Sequence, residues 1–224
     1  TAPTESQAVV MTGDGTEIGT SSFIDKYYNV NKNTWGLIGY MMENTTDSTR
    51  SDSLIKSNID TWYLNNINSY SSYLEDNIFC CDKSISSFSV SHYKPQERLF
   101  NYTPSFVCPR KEDSYSVSDI VKGNGYLSYS VGLINIDELL FSGLNKRYIN
   151  SDEYYLVTQK NYWTISQFWY GGDDAYFIGA EKFEDGFELH SIYDNIYGVR
   201  PVISLKSTVT ATGTGAWNDP YVVQ

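Results

Sequence analysis

The segment Phe79-Cys80-Cys81-Asp82 and one further cysteine, Cys108, set the tightest constraint on what this chain can fold into. Adjacent cysteines bridge each other only with strain, so one of the pair meets Cys108, and two distant segments must be brought together. We take Cys80 as that partner. A closed loop of about 28 residues stabilises the folded state by about 3 to 4 kcal/mol in the chain-entropy model, and such a bridge belongs in an oxidising compartment. The alternative is three buried thiols in a cytosolic protein. Zinc-ligand spacings are absent and the only histidines are His92 and His190, so neither a metal nor a cofactor is expected.

Aromatic residues decide the next step. With 20 Tyr, 10 Phe and 5 Trp among abundant Ser, Asn and Asp, the composition suits strands, turns and binding loops better than long helices. Tyr with Ser, Gly and Asn is also the mixture of paratopes, where Tyr adds rigid contact area at little entropic cost; filling half-buried strand positions accounts for much of the rest. A formal charge of −11, with no basic run, repels phosphate backbones and argues against nucleic acid as a partner. No apolar stretch approaches the length of a membrane span, so any membrane attachment must come through a segment outside this chain. The start at Thr1 without Met leads us to expect that a signal or anchor segment has been removed. Residues 1–224 are read as one domain.

Along the chain, Val9 to Met11 reads as a strand entering a turn at Gly13-Asp14-Gly15, and Trp35 to Met42 reads as a second strand. Leu54, Ile55, Ile59, Trp62 and Tyr63 recur at helical spacing behind a possible cap at Ser51 or Ser53, with Ile67 continuing the stripe. A shorter helix is expected over Ser69 to Asp76. From Asp82 to Asp119, Pro95, Pro104 and Pro109 interrupt the pattern, and the segment reads as loops pinned by the disulfide. Tyr126 to Ile134 alternates like a strand, and Asn135 or Asp137 caps a helix through Leu139 to Phe141 that ends at Gly143. Later strands are expected at 162–165, 175–178, 187–189 and 199–205, with turns at Gly171 to Asp174 and Glu184 to Gly186.

The ending Tyr197-Gly198-Val199-Arg200-Pro201-Val202-Ile203-Ser204-Leu205-Lys206, followed by Gly213 to Gly215 and Asn218-Asp219-Pro220-Tyr221-Val222-Val223, resembles a family of uncharacterised secreted or prepilin-linked domains of Gram-positive bacteria. Ile38 to Met41, Ile55 to Tyr63, Phe79 to Ser84, Val107 to Pro109 and Tyr162 to Ser166 resemble that family's blocks in order, and together they cover most of the chain. The ending is also similar to the Gly-Phe-Arg-Val strand of formylglycine-generating-enzyme-like proteins. That resemblance implies an α+β, C-type-lectin-like fold with two main helices beside small twisted antiparallel sheets. Two departures stand out: Cys81 where the family usually has Asn, and Gln167 where it often has Pro. The resemblance further implies that Ser166 to Asn195 occupies the place where lectin-like proteins diversified by retroelements vary.

Within that segment Phe168, Trp169, Tyr170, Asp173, Asp174, Tyr176, Glu181, Phe183, Glu188, His190, Tyr193 and Asn195 are the candidate ligand-binding residues. Aromatic faces offer apolar area and stack on sugars, while carboxylates and amides fix orientation. Strand alternation would turn about half of them inward. Trp217-Asn218-Asp219 imitates a lectin calcium motif, but the accompanying Glu-Pro-Asn or Gln-Pro-Asp tripeptide is missing, so it reads as a turn closed by Pro220. No nucleophile elbow, zinc-protease helix or phosphate loop occurs. The carboxylate pair Asp173 and Glu181 could serve a glycosidase, but surface acids are the simpler reading, and no catalytic residue is assigned. The expectation is a non-enzymatic, extracellular or cell-surface domain binding a protein or glycan. The rival is a structural, pilin-like filament subunit or head. Oligomeric state is not legible.

Overall fold

Ser53 opens the first long helix for the reason its position suggests. Its backbone is extended and its Oγ accepts the Lys56 N–H at 3.2 Å, satisfying one of the donors that a helix start leaves over. The computed structural model describes residues 18–21, 41–43, 50–89, 92–143, 156, 162–171, 174–180, 187–191, 197–216 and 218–224, with only the backbone described at 20, 41–43, 50, 51, 169–171, 174–180 and 187–191. The expected strand at Val9 to Met11 and its turn lie outside these residues, as does most of the expected strand at Trp35 to Met42.

Strands β1 (Thr20–Ser21), β2 (Met41–Glu43) and β3 (Arg50–Asp52) precede α1 (Leu54–Asn66) and a 3-10 turn at Asn68–Tyr73. Then come β4 (Phe79–Cys80), α2 (Lys94–Asn101), a 3-10 turn at Lys111–Asp113, β5 (Ser114–Tyr115), β6 (Gly132–Leu133) and α3 (Ile136–Phe141). The last third holds β7 (Tyr162–Gly171), β8 (Asp174–Ala180), β9 (Phe187–Ser191), β10 (Tyr197–Gly198), β11 (Pro201–Val202), β12 (Ala211–Thr212) and β13 (Val222–Val223). One sheet has the order β1-β10-β7-β8-β9, and β2 with β3, β4 with β5, β6 with β11 and β12 with β13 form two-stranded antiparallel pairs. The architecture is α+β with small, largely antiparallel sheets; one pairing, β10 with β7 at Gly198 and Tyr162, is parallel.

The core is built around β7. Trp163 and Ile165 join Ile55, Ile59 and Tyr63 of α1, Phe79, Tyr115, Leu133 and Val199 in the main apolar cluster, and the Trp163 indole N–H donates to the Ser21 carbonyl at 2.8 Å. Phe168 joins Ile136, Leu139 and Leu140 in a second cluster. Between the two lies the cross-linked segment. Cys80 and Cys108 form the expected disulfide, with Cα atoms 5.7 Å apart, and Cys81 is a buried thiol. β4 also pairs with β5, so the loop carrying α2 is tied at its base by sulfur and by backbone.

Arg98 of α2 binds that loop to α3. Its Nε and Nη2 donate to the two oxygens of Asp137 at 2.7 and 2.8 Å, a planar fork on a planar carboxylate, and Nη1 donates to Asp82 at 2.8 Å. Asp137 also accepts the Ser105 N–H and Asp82 that of Ser84, so neither nearly buried acid relies on the guanidinium alone. Lys56, fully buried, is held by Asp60 at 2.6 Å and Asp52 at 3.2 Å. Burial raises the Asp60 pKa, outweighing the Lys56 contact that lowers it.

Four elements differ from expectation, the first being the strand expected at 199–205, of which only Pro201–Val202 forms a strand. Pro95 does not interrupt the 82–119 segment but starts α2, because proline in the first helical turn loses no internal hydrogen bond. The second expected helix is a 3-10 turn, Asn68–Tyr73, in which Ser and Asn bring little helical propensity. Of Tyr126 to Ile134 only Gly132–Leu133 is strand, since the amides of Tyr126 and Leu127 are taken by the Asn124 side chain and the Ser116 carbonyl. Of the two cap candidates for α3, the structure uses Asn135, which forms a reciprocal capping box with Glu138, while Asp137 lies inside the first turn.

Removing Arg98 strands two acids in the interior. Arg98→Met should lower the free energy of urea unfolding by about 3 to 5 kcal/mol; a loss below about 1 kcal/mol, the scale of an exposed pair, would show that the staple carries little.

Candidate functional site

Residues 162 to 171 form a strand whose first part is interior and which pairs along its length with β8, and β8 with β9, in an antiparallel β7–β8–β9 ribbon. Tyr162 through Phe168 are all buried, so both faces of this part are covered. The ribbon brings candidate positions into register. Trp169 is the Cα partner of Tyr176, Tyr170 of Ala175 and Gly171 of Asp174, while across the next ladder Tyr176 meets Ser191, Phe177 meets His190 and Gly179 meets Glu188. Trp169, Tyr170, Asp174, Tyr176, Glu188 and His190 thus sit on adjacent strands of one ribbon. Asp173, Glu181, Phe183, Tyr193 and Asn195 lie outside the described residues.

Phe168 is not a surface residue. Between the pairs Gln167 with Phe177 and Trp169 with Tyr176, β7 advances two residues while β8 advances one, so Phe168 is the extra residue of a β-bulge. Its ring is 5% exposed and packs on α3, with the His92 ring edge-on at 5.7 Å and the Phe100 ring edge-on at 6.4 Å. Its carbonyl accepts the Tyr93 N–H at 3.0 Å, where α2 begins. The expectation that Phe168 meets ligand is corrected on this ground: both faces of this part of β7 are covered, and the ring is packed against α3.

The base of the ribbon is therefore a fixed seat. Glu97, in the first turn of α2, accepts from the Ser87 amide at 2.7 Å, the Ser86 hydroxyl at 3.0 Å and the Lys94 ammonium, and these donors hold its carboxyl down to about 2. On the other side of the cross-linked loop, burial raises Asp113, although Lys83 and Arg110 stand beside it. The Lys83 ammonium is 3.5 Å from Asp113 Oδ1, an ion-pair contact without hydrogen-bond alignment. Gln167 is fully buried, and among the described residues neither end of its amide has a hydrogen-bond partner.

A second aromatic surface lies outside the expected segment. Phe106 and Phe141 stack in parallel, with centroids 3.7 Å apart, while exposed to 75% and 46%. The signal available in sequence was the pair Phe106-Val107 beside the anchored Cys108, but its reach to Phe141 depends on folding. The Asp219 carboxylate accepts the Thr214 N–H at 3.0 Å and the Asp219 carbonyl accepts the Gly215 N–H, so the segment is a turn, though it is Asp219 rather than Pro220 whose groups hold it. Trp217 lies outside the described residues. No protein family, curated protein or solved structure matches the chain.

Two outcomes test the seat. Phe168→Ala should cost about 3 to 5 kcal/mol by urea unfolding, whereas Gln167→Leu, which deletes unsatisfied polar atoms, should be neutral or stabilising; a strong loss from Gln167→Leu would reveal a partner for the amide. For Glu97 the folded pKa is depressed, so its contribution is present above the ordinary glutamate pKa and is lost as pH falls toward about 2. Glu97→Gln should therefore flatten the loss of stability across that acid interval, and a slope equal to the unaltered chain would contradict the assignment.

Proposed function

We propose that this chain is a non-enzymatic ligand-binding domain of C-type-lectin-like fold, displayed outside the cell, that recognises a protein or glycan through the β7–β9 ribbon and its turns. The observation that carries the reading is the register of Trp169 opposite Tyr176 directly beyond a bulge seated in the interior. A recognition surface gains affinity when its backbone is ordered before binding, and the bulge, the Tyr93 bond and the covered base of β7 provide that order. Asp174, Glu188 and His190 on the same ribbon add polar groups able to orient a hydroxyl-rich or charged ligand. The Cys80–Cys108 bridge supports an oxidising location. The resemblance of the C-terminal blocks to secreted domains supports the same placement, and the position of 166–195 supports retroelement-driven variation of the surface.

Two measurements decide the matter. On a printed array of host and bacterial glycans and on immobilised mucin, the Trp169→Ala, Tyr170→Ala, Tyr176→Ala triple variant should lose at least about tenfold in signal relative to the unaltered chain with Tm nearly unchanged. A large fall in Tm would make these rings core residues and sink the proposal. Natural copies of the gene should differ mainly at outward positions of Ser166 to Asn195, and variation spread evenly along the chain would remove the diversified-receptor reading.

A further inference from the structure

At the base of the cross-linked loop a lysine and an aspartate meet in a contact that differs from an ordinary ion pair. β4 and β5 pair as far as Cys80 with Ser114, and the Cys81 amide extends the ladder by donating to the Asp113 carbonyl at 2.9 Å. Lys83, two residues on, reaches the Asp113 side chain with both of its nitrogens. Its amide donates to Oδ2 at 2.9 Å, and its ammonium stands 3.5 Å from Oδ1. The Asp113 side chain is fully buried and that of Lys83 is 11% exposed.

The two oxygens of Asp113 are held differently. Oδ2 receives the Lys83 amide and faces the Arg110 guanidinium, whose Nε lies 3.3 Å away. Oδ1 is buried and, among the described residues, accepts no hydrogen bond, because the ammonium beside it is out of line for one. A carboxylate oxygen left in that condition is costly. Burial lifts the Asp113 pKa although Lys83 and Arg110 pull it down, and the Asp82 carboxylate adds to the lift. The neutral acid is the form that an amine can attack.

We propose that Lys83 and Asp113 condense within the folded chain into an intramolecular isopeptide bond, Nζ joining Cγ and Oδ1 departing as water. The ammonium first passes one proton to Oδ1, giving an amine and a carboxylic acid. The Nζ lone pair then adds to Cγ, and the charge that develops on Oδ2 is met by the Lys83 amide and Arg110, donors already in place. A second proton moves from nitrogen to the Oδ1 hydroxyl, the Cγ–Oδ1 bond breaks, and the carbonyl re-forms at Oδ2. Nothing is oxidised or reduced. Folding supplies what a free amine and acid lack in water, namely reactants held together and solvent kept out. The product keeps the Oδ2 contacts and removes the oxygen that had none. It also ties position 83 to position 113 beside the Cys80–Cys108 bridge, with a link that reductant does not open. Lys56 marks the contrast: it donates aligned hydrogen bonds to Asp60 and Asp52 at 2.6 and 3.2 Å, and the Asp52 side chain is 35% exposed, so an ion pair with access to water remains.

Mass spectrometry of the purified chain, denatured and reduced, reads the bond. The intact mass should lie one water, about 18 Da, below that of the sequence. Trypsin should fail to cut after Lys83, and fragmentation should find Lys83 and Asp113 in one branched peptide. Lys83→Arg, which keeps the charge without the amine, and Asp113→Ala should each show their full mass. Where either variant fails to fold, the branched peptide of the unaltered chain decides. An unaltered chain of full mass after prolonged incubation at neutral pH would overturn the proposal. So would a water loss mapped elsewhere, whether to Lys56 with Asp60 or to a succinimide of equal mass at Asp14-Gly15 or Asp185-Gly186. None of these readings involves a ligand, so they are independent of the function proposed above.

Discussion

Covering both faces of residues 162–168 is the constraint on which the rest of the structure depends. A strand hidden on both sides needs apolar cover above and below, and its polar members need partners inside. Trp163 and Ile165 are covered by α1 and β4, and Phe168 by α3, while Ser166 Oγ takes the Ile136 amide at the start of α3. These short elements, most of them too small to stand alone, gain their stability from packing on one central strand.

What could be read from sequence was local. The cap candidates Ser51 or Ser53 and Asn135 or Asp137 rest on residues a turn apart, and the structure uses Ser53 and Asn135; covalent geometry required one of the adjacent cysteines to meet Cys108, and Cys80, the one taken, does so. What could not be read depends on counting across strands or across the chain. One inserted residue at Phe168 shifts the β7–β8 register, and no side-chain pattern announces a bulge whose carbonyl is met by the Tyr93 amide. The Arg98 fork joins residues 39 positions apart, beyond any periodicity. Pro95 illustrates a third kind of failure, because the same residue breaks a helix interior and begins a helix, and position alone decides.

The division of labour between polar groups follows from exposure. Acids nearest the interior are used internally: Asp82 and Asp137 by a guanidinium, Asp76 by loop amides.

Phe79 and Gly132 carry a consequence for the sulfur chemistry. A Cβ on Gly132 would come within 2.4 Å of the Phe79 ring, so the ring lies directly on that bare backbone. Cys80, the last residue of β4, and Cys81 just beyond it meet different surroundings, the one bridged to Cys108 and the other inside the main apolar cluster. The Phe79 ring and Cys80 share β4, so a side chain at position 132 would push on the very strand that carries the bridge.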